Sequence, residues 1–118
     1  MRDLAPDILR QRLLLEGYYT VPIDRSAVAG YLIGIAGNLG LRTYGSPIIH
    51  APDGLGKPEN EGFDGFVPLI DSGISVYVWS MRKFFAAVLF TCKSFEVSHA
   101  LEFTRHYFGA PQLEHREF

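Results

Sequence analysis

Four short segments carry side chains able to do chemistry: Leu13-Leu14-Leu15-Glu16, Asp71-Ser72-Gly73, Tyr77-Val78-Trp79-Ser80-Met81 and Phe90-Thr91-Cys92-Lys93. They hold a serine hydroxyl beside a carboxylate (Ser72 and Asp71), the chain's only thiol (Cys92), a carboxylate after three leucines (Glu16) and two large aromatics. A serine hydroxyl can attack a carbonyl carbon, and a thiol in a perturbing environment can exchange a proton. Trp79 can offer a stacking platform to a flat ring. Taken singly, each has an ordinary reading. A lone cysteine closing an apolar strand face is usually a small buried hydrophobe. Asp-Ser-Gly is a common turn. Glu16 fits a solvated strand position, and Tyr77 and Trp79 fit core or interface packing.

Other candidate motifs fall away. Gly54-Leu55-Gly56-Lys57 lacks the full phosphate-loop spacing and the following hydroxyl residue. His50, His99, His106 and His115 are scattered; His99 and His106 can share a helix face, but no third ligand follows at metal spacing. No metal site is expected.

Stepping outward along the chain, the order β-α-β-β-β-β-α-β emerges. Arg12 to Tyr19 reads as a strand ending in two β-favouring tyrosines. Asp24 or Ser26 can cap a helix whose apolar face is Val28, Tyr31, Leu32, Ile35 and Leu39. Glycines at 30, 34, 37 and 40 weaken that helix and would let it lie close on a sheet. Leu41 to His50 is a second strand, at an edge or bulged because of Pro47. Residues 51–62 form a loop long enough to suggest function. Phe63–Ile70, Ile74–Trp79 and Phe84–Thr91 are closely spaced apolar runs, which implies antiparallel hairpins. Tyr77 and Trp79 alternate with the valines and face away from Val76 and Val78, while Phe84, Ala86, Val88, Phe90 and Cys92 share one face. Ser94 can cap a last helix carrying Val97, Leu101, Thr104 and Phe108 on one side, stopped by Gly109 and Pro111. Leu113–Phe118 adds an edge strand. Two helices on one face of a mostly antiparallel sheet make a two-layer α+β sandwich.

Composition sets the outer limits. A chain of 118 residues with 47% apolar residues fits one domain, 1–118, with a real core. A net charge of −2 without a basic stripe argues against a nucleic-acid partner. Apolar stretches fall well short of the roughly 20 residues that span a bilayer, so no membrane partner is expected. One cysteine allows no internal disulfide, and the N-terminal residues, with Asp3 and Asp7, do not read as a signal peptide. A cytoplasmic location is the expectation.

In their order, the four segments resemble the short bacterial form of the S-adenosylmethionine decarboxylase family. That family carries Leu-Leu-Glu near its start, then Glu-Ser-His, His-Thr-Trp-Pro-Glu and Phe-Thr-Cys-Gly. Its closing helix often begins Ala-Leu-Glu, and Ala100-Leu101-Glu102 stands there. The serine-to-cysteine interval also matches, and the resemblance runs from about Arg12 to the C-terminus. It implies a proenzyme that cleaves itself before Ser72 by an N→O acyl shift, leaving a pyruvoyl group as cofactor. The group forms a Schiff base with the substrate amine and accepts electrons as CO₂ leaves. By the same resemblance Asp71 precedes the cut, Cys92 protonates the product, Tyr77 stands at a histidine position used in self-processing, and Glu16 and Trp79 contribute to substrate binding. The implied substrate is S-adenosylmethionine or a related amino acid, used in polyamine synthesis, and the implied assembly is a homodimer.

Several positions depart from the family pattern. Asp71 replaces glutamate, Gly73 and Tyr77 replace histidines, Ser80 replaces proline, Met81 replaces the glutamate that grips the substrate ribose, and Lys93 replaces glycine. A phenol, with an ordinary pKa near 10, is a poor base at neutral pH. These departures admit an alternative: a non-processing homologue that binds a ligand or a partner subunit, or a pyruvoyl-free lyase on the same scaffold.

Overall fold

The structure is a computed structural model describing residues 1–118. Its elements are β1 (Gln11–Tyr18), α1 (Arg25–Asn38), β2 (Ile48–His50), β3 (Gly62–Leu69), β4 (Ser72–Trp79), β5 (Phe84–Thr91), α2 (Val97–Phe108) and β6 (Leu113–Glu117), in the expected order. The strands form one sheet in the order β2-β3-β4-β5-β1-β6, and every pairing is antiparallel. Both helices lie on one side of it, α1 over β3 and β4, α2 over β1 and β6, and they also pack on each other.

The two-residue period of each strand sorts side chains between the layers. Leu13 and Leu15 of β1, Val67 and Leu69 of β3, Ile74, Val76 and Val78 of β4, and Phe85, Ala87 and Leu89 of β5 are buried under the helices. From above, α1 contributes Val28, Tyr31, Leu32 and Ile35, and α2 contributes Ala100, Thr104 and Phe108. A fully buried Leu or Phe stabilises the fold by about 1.5–3 kcal/mol. Phe108 stacks on Phe85 with ring centroids 3.9 Å apart, joining α2 to the centre of the sheet. Tyr31 is wholly buried and its hydroxyl shares a 2.9 Å hydrogen bond with that of Thr104. Desolvation pushes the Tyr31 phenol well above its usual pKa, with the Thr104 hydrogen bond acting in the opposite direction.

Local signals at several ends hold. Asp24 caps α1, accepting a 2.8 Å hydrogen bond from the Ala27 N–H. Gly109 ends α2 with φ 57°, the left-handed conformation that glycine adopts without a side-chain clash. Other expectations need correction. The strand expected over 41–50 shrinks to Ile48–His50, with a single bridge from Thr43 to Leu69, because the chain turns through Gly45 and Pro47 before it reaches the edge of β3. Within the expected loop 51–62, Gly54–Gly56 and Pro58–Asn60 wind into short 3₁₀ turns. Glu96, not Ser94, is the cap residue of α2, and it gives no side-chain capping bond. Of the four glycines, Gly30 and Gly34 face the other helix and not the sheet, Gly37 faces open space, and Gly40 lies beyond the end of α1. A Cβ at Gly34 would lie 2.6 Å from the Phe103 ring, and one at Gly30 would lie 2.6 Å from the Tyr107 hydroxyl.

Candidate functional site

Between β3 and β4 the chain reverses through only Ile70 and Asp71, with Leu69 paired to Ser72. Neither turn residue has a positive φ; that falls on Ser72, at 122°, where a side chain is strained and glycine is the usual occupant. Two backbone bonds clamp this turn. The Ile70 N–H donates to the Arg42 carbonyl at 3.0 Å, and the Cys92 N–H donates to the Asp71 carbonyl at 2.9 Å.

The second bond places the thiol-bearing residue beside the serine. Ser72 lies opposite Thr91 in the β4–β5 register, and Cys92 follows directly. Asp71, Ser72 and Cys92 therefore meet at one end of the sheet. Thr91 is fully buried and its hydroxyl donates to the Lys93 carbonyl at 2.7 Å, folding the chain as it leaves β5. Lys93 reaches back to the Gly40 carbonyl at 3.0 Å, tying this segment to the end of α1. Cys92 itself is exposed, which corrects the buried-hydrophobe reading: β5 ends at Thr91, so the next side chain is free of the core. One oxygen of the Asp71 carboxylate, Oδ2, is enclosed and has no hydrogen-bond partner, as is the case for Arg12 Nε.

Gly73 has a local explanation. A Cβ there would lie 2.6 Å from the Phe66 ring, so the aromatic on β3 occupies the space where a histidine would begin. Phe66 belongs to the sheet face that no helix covers. Cross-strand rows on that face run Tyr18–Phe84–Trp79, then Glu16–Ala86–Tyr77–Asp64–His50, then Leu14–Val88–Ser75–Phe66–Ile48. In the first row Phe84 stands between two aromatics, its centroid 5.5 Å from Tyr18 and 5.4 Å from Trp79.

The expected site residues thus divide into two groups. Tyr77 lies five residues along β4 from Ser72, about 16 Å at 3.3 Å per residue, beyond the reach of its side chain. Glu16 lies in the same row as Tyr77, two strands away, and Trp79 lies one row farther from Ser72. Met81 sits 63% exposed in the turn after β4, also distant from Ser72. A cavity of about 210 Å³ lies beside Glu16, Tyr18, Phe84 and Glu114. Sequence reasoning missed Glu114, which β6 sets directly opposite Glu16. It also missed Thr91 as a shaping residue. The Phe-Thr-Cys segment held that signal, but only the register shows Thr91 facing Ser72. No group of three or more His, Cys, Asp or Glu side chains is arranged to hold a metal ion, and no helix is long and apolar enough to cross a membrane.

Comparisons with known proteins agree with this layout. The S-adenosylmethionine decarboxylase family matches residues 13–118. The crystal structure of the adenosylmethionine decarboxylase from Aquifex aeolicus superposes with a TM-score of 0.72 at 19% identity, over 94% of this chain and 89% of that one. At that identity the likeness speaks for the fold. A search of curated proteins finds no match. With nearly the whole sheet and both helices inside the matched span, the chain belongs to the S-adenosylmethionine decarboxylase family.

Proposed function

We propose that this protein is a pyruvoyl-dependent decarboxylase that cuts its own chain between Asp71 and Ser72 and acts on S-adenosylmethionine or a related amino acid. The observation that carries the reading is the strained Ser72, with φ 122°, whose preceding carbonyl is held by the Cys92 N–H. Self-cleavage requires the serine hydroxyl to approach that carbonyl carbon. A backbone already off its preferred region, with a donor fixed on the carbonyl oxygen, lowers the cost of the approach. The residues present fit formation of a pyruvoyl group from Ser72. Once formed, such a group supplies an electron sink for loss of CO₂.

The chain's own residues do the rest. Cys92, exposed and one residue beyond the Thr91 that faces Ser72, would deliver a proton to the product carbon. Glu16 and Trp79 bind the substrate's distal part, the carboxylate taking positive charge and the indole taking a flat or apolar portion. They lie at the opposite end of the sheet from Ser72 of the same chain, which favours a homodimer. The uncovered face presents Ile48, Phe66, Tyr77 and Phe90, each more than a third exposed. Large exposed apolar areas of this kind mark interfaces.

Intact-mass measurement of freshly purified protein tests the reading. Two fragments split before Ser72, the C-terminal one blocked, are expected; light scattering should give twice the chain mass. A single unmodified chain removes pyruvoyl chemistry and leaves the non-processing reading, to which the loss of the imidazole at Tyr77 and of the carboxylate at Met81 would then belong.

A further inference from the structure

We propose that β6 is an assembly edge, whose open side pairs antiparallel with β6 of a second copy of this chain about a two-fold axis at His115. This contact is separate from the decarboxylase reading and from the sheet-face contact named with it. β6 closes one end of the sheet and has β1 as its one neighbour. The Phe118 N–H donates to the Arg12 carbonyl at 3.3 Å, so residues 114, 116 and 118 turn their backbone groups towards β1. Leu113, His115 and Glu117 turn theirs outward, a row of donors and acceptors ready for another strand. From Glu114 to Glu117 every residue of the strand is exposed.

Charges on an exposed edge ordinarily repel a second strand. On β6 they select one register. A copy bonding to the open side must pair residues 113, 115 and 117 with one another, which leaves few antiparallel registers. Setting 113 opposite 115 puts Glu114 against the partner's Glu114, and setting 115 opposite 117 puts Arg116 against the partner's Arg116. Like charges directly opposite are destabilising. Centring on Leu113 or on Glu117 leaves a single strand residue in overlap. Centring on His115 uses all 5 residues, pairs Leu113 with Glu117 at both ends, and sets Glu114 opposite Arg116 twice. Those are the pairs without mutual backbone bonds, where facing side chains come closest. Within the chain neither charge is answered: Arg10–Asp3 is the only ion pair, and β1 sets a like charge, Glu16, opposite Glu114. The second copy's Arg116 brings the missing cation. Short strands bury little area, so the contact is weak and forms as concentration rises.

Sedimentation velocity of the full chain, from about 5 µM to about 1 mM, tests the pairing. The wild-type average mass should climb with concentration towards twice its dilute value. Arg116→Glu and Glu114→Arg each place like charges opposite one another, and each should weaken the association by about tenfold or more. Mixed together, the two variants are complementary again, since 114 of one faces 116 of the other with opposite charge in both pairs. The mixture should recover the wild-type climb. His115→Pro should abolish the climb, because it removes an outward N–H while sparing the β1–β6 ladder. Circular dichroism checks that each variant keeps its fold, and the wild-type series decides the matter if one does not. A wild-type mass that stays flat across the range overturns the proposal. So does Arg116→Glu that climbs as wild type does, or a mixture that associates no better than its components.

Discussion

Strain at Ser72 can be measured apart from any chemistry by comparing Ser72→Gly with Ser72→Ala. Neither variant has a hydroxyl, so neither can cleave, and both report on one continuous chain. A non-glycine residue held at φ 122° costs about 1–3 kcal/mol, and glycine removes that cost. Against it stands glycine's larger loss of freedom on folding, about 0.5–1 kcal/mol relative to alanine. The net expectation is that Ser72→Gly is the more stable by about 0.5–2 kcal/mol. At this chain length that corresponds to a melting temperature higher by roughly 2–8 °C. In urea, with a slope of about 1–3 kcal/mol/M, the same difference moves the midpoint by several tenths of a molar unit. Paired thermal and urea unfolding, with unchanged slopes, would establish it. If Ser72→Ala equals or exceeds Ser72→Gly, the turn is not strained. The backbone at Ser72 is then not primed for cleavage.

Helix α1 offers a contrast within one element. Gly37→Ala should stabilise by about 0.5–1 kcal/mol, because no atom lies within 4 Å of the new Cβ. Gly34→Ala should destabilise by about 1–3 kcal/mol, because its Cβ meets the Phe103 ring and forces overpacking between the helices; denaturant unfolding distinguishes the two signs. At high pH the buried phenol of Tyr31 should limit stability. Its folded pKa is raised above 10.0, so the unfolded chain releases the proton first and the folded state is penalised as pH climbs past that value. Stability should therefore be intact below about pH 10 and fall above it, while Tyr31→Phe shows a shallower fall there; identical slopes in the two proteins would contradict the assignment.

What the sequence revealed of the fold followed how local the determinants are. The three strands β3, β4 and β5 were legible because alternation and short turns leave antiparallel hairpins as the natural solution. The stop at Gly109 was legible because only glycine fits that backbone so easily. Strand β2 was not, since its extent depends on how much of 41–50 finds a partner on β3, a tertiary matter. The partner of Gly30 and Gly34 was hidden for the same reason: a small residue announces close approach without saying what approaches. For the site, residue types pointed to Asp71, Ser72 and Cys92, whose backbones the Cys92 N–H to Asp71 carbonyl bond brings together. The distance from Ser72 to Tyr77 was implicit in the strand rise, yet motif order alone made the six residues look like one cluster. Glu114 opposite Glu16 needed the β1–β6 register, which no local pattern encodes.

The departures from the family pattern sort by position, and that sorting bears on what the protein does. Beside Ser72 the changes keep or accommodate the local chemistry: Asp71 retains a carboxylate, Gly73 yields to the Phe66 ring, and Lys93 anchors its segment to the Gly40 carbonyl. At the other end of β4 the changes alter chemistry outright. A phenol stands at 77 in place of an imidazole and a thioether stands at 81 in place of a carboxylate, in a row and a turn far from the serine. An antiparallel sheet with a solvated face usually alternates apolar with polar residues. Here Leu14, Phe66, Tyr77, Phe84, Val88 and Phe90 put apolar side chains on the uncovered face among the polar Glu16, Asp64, His50 and Ser75. Three departures thus fall beside Ser72 and three at the far end of β4, and by the resemblance the lost imidazole at 77 bears on self-processing as much as on binding. A protein altered in that way has reason to differ from its relatives in processing as well as in what it binds.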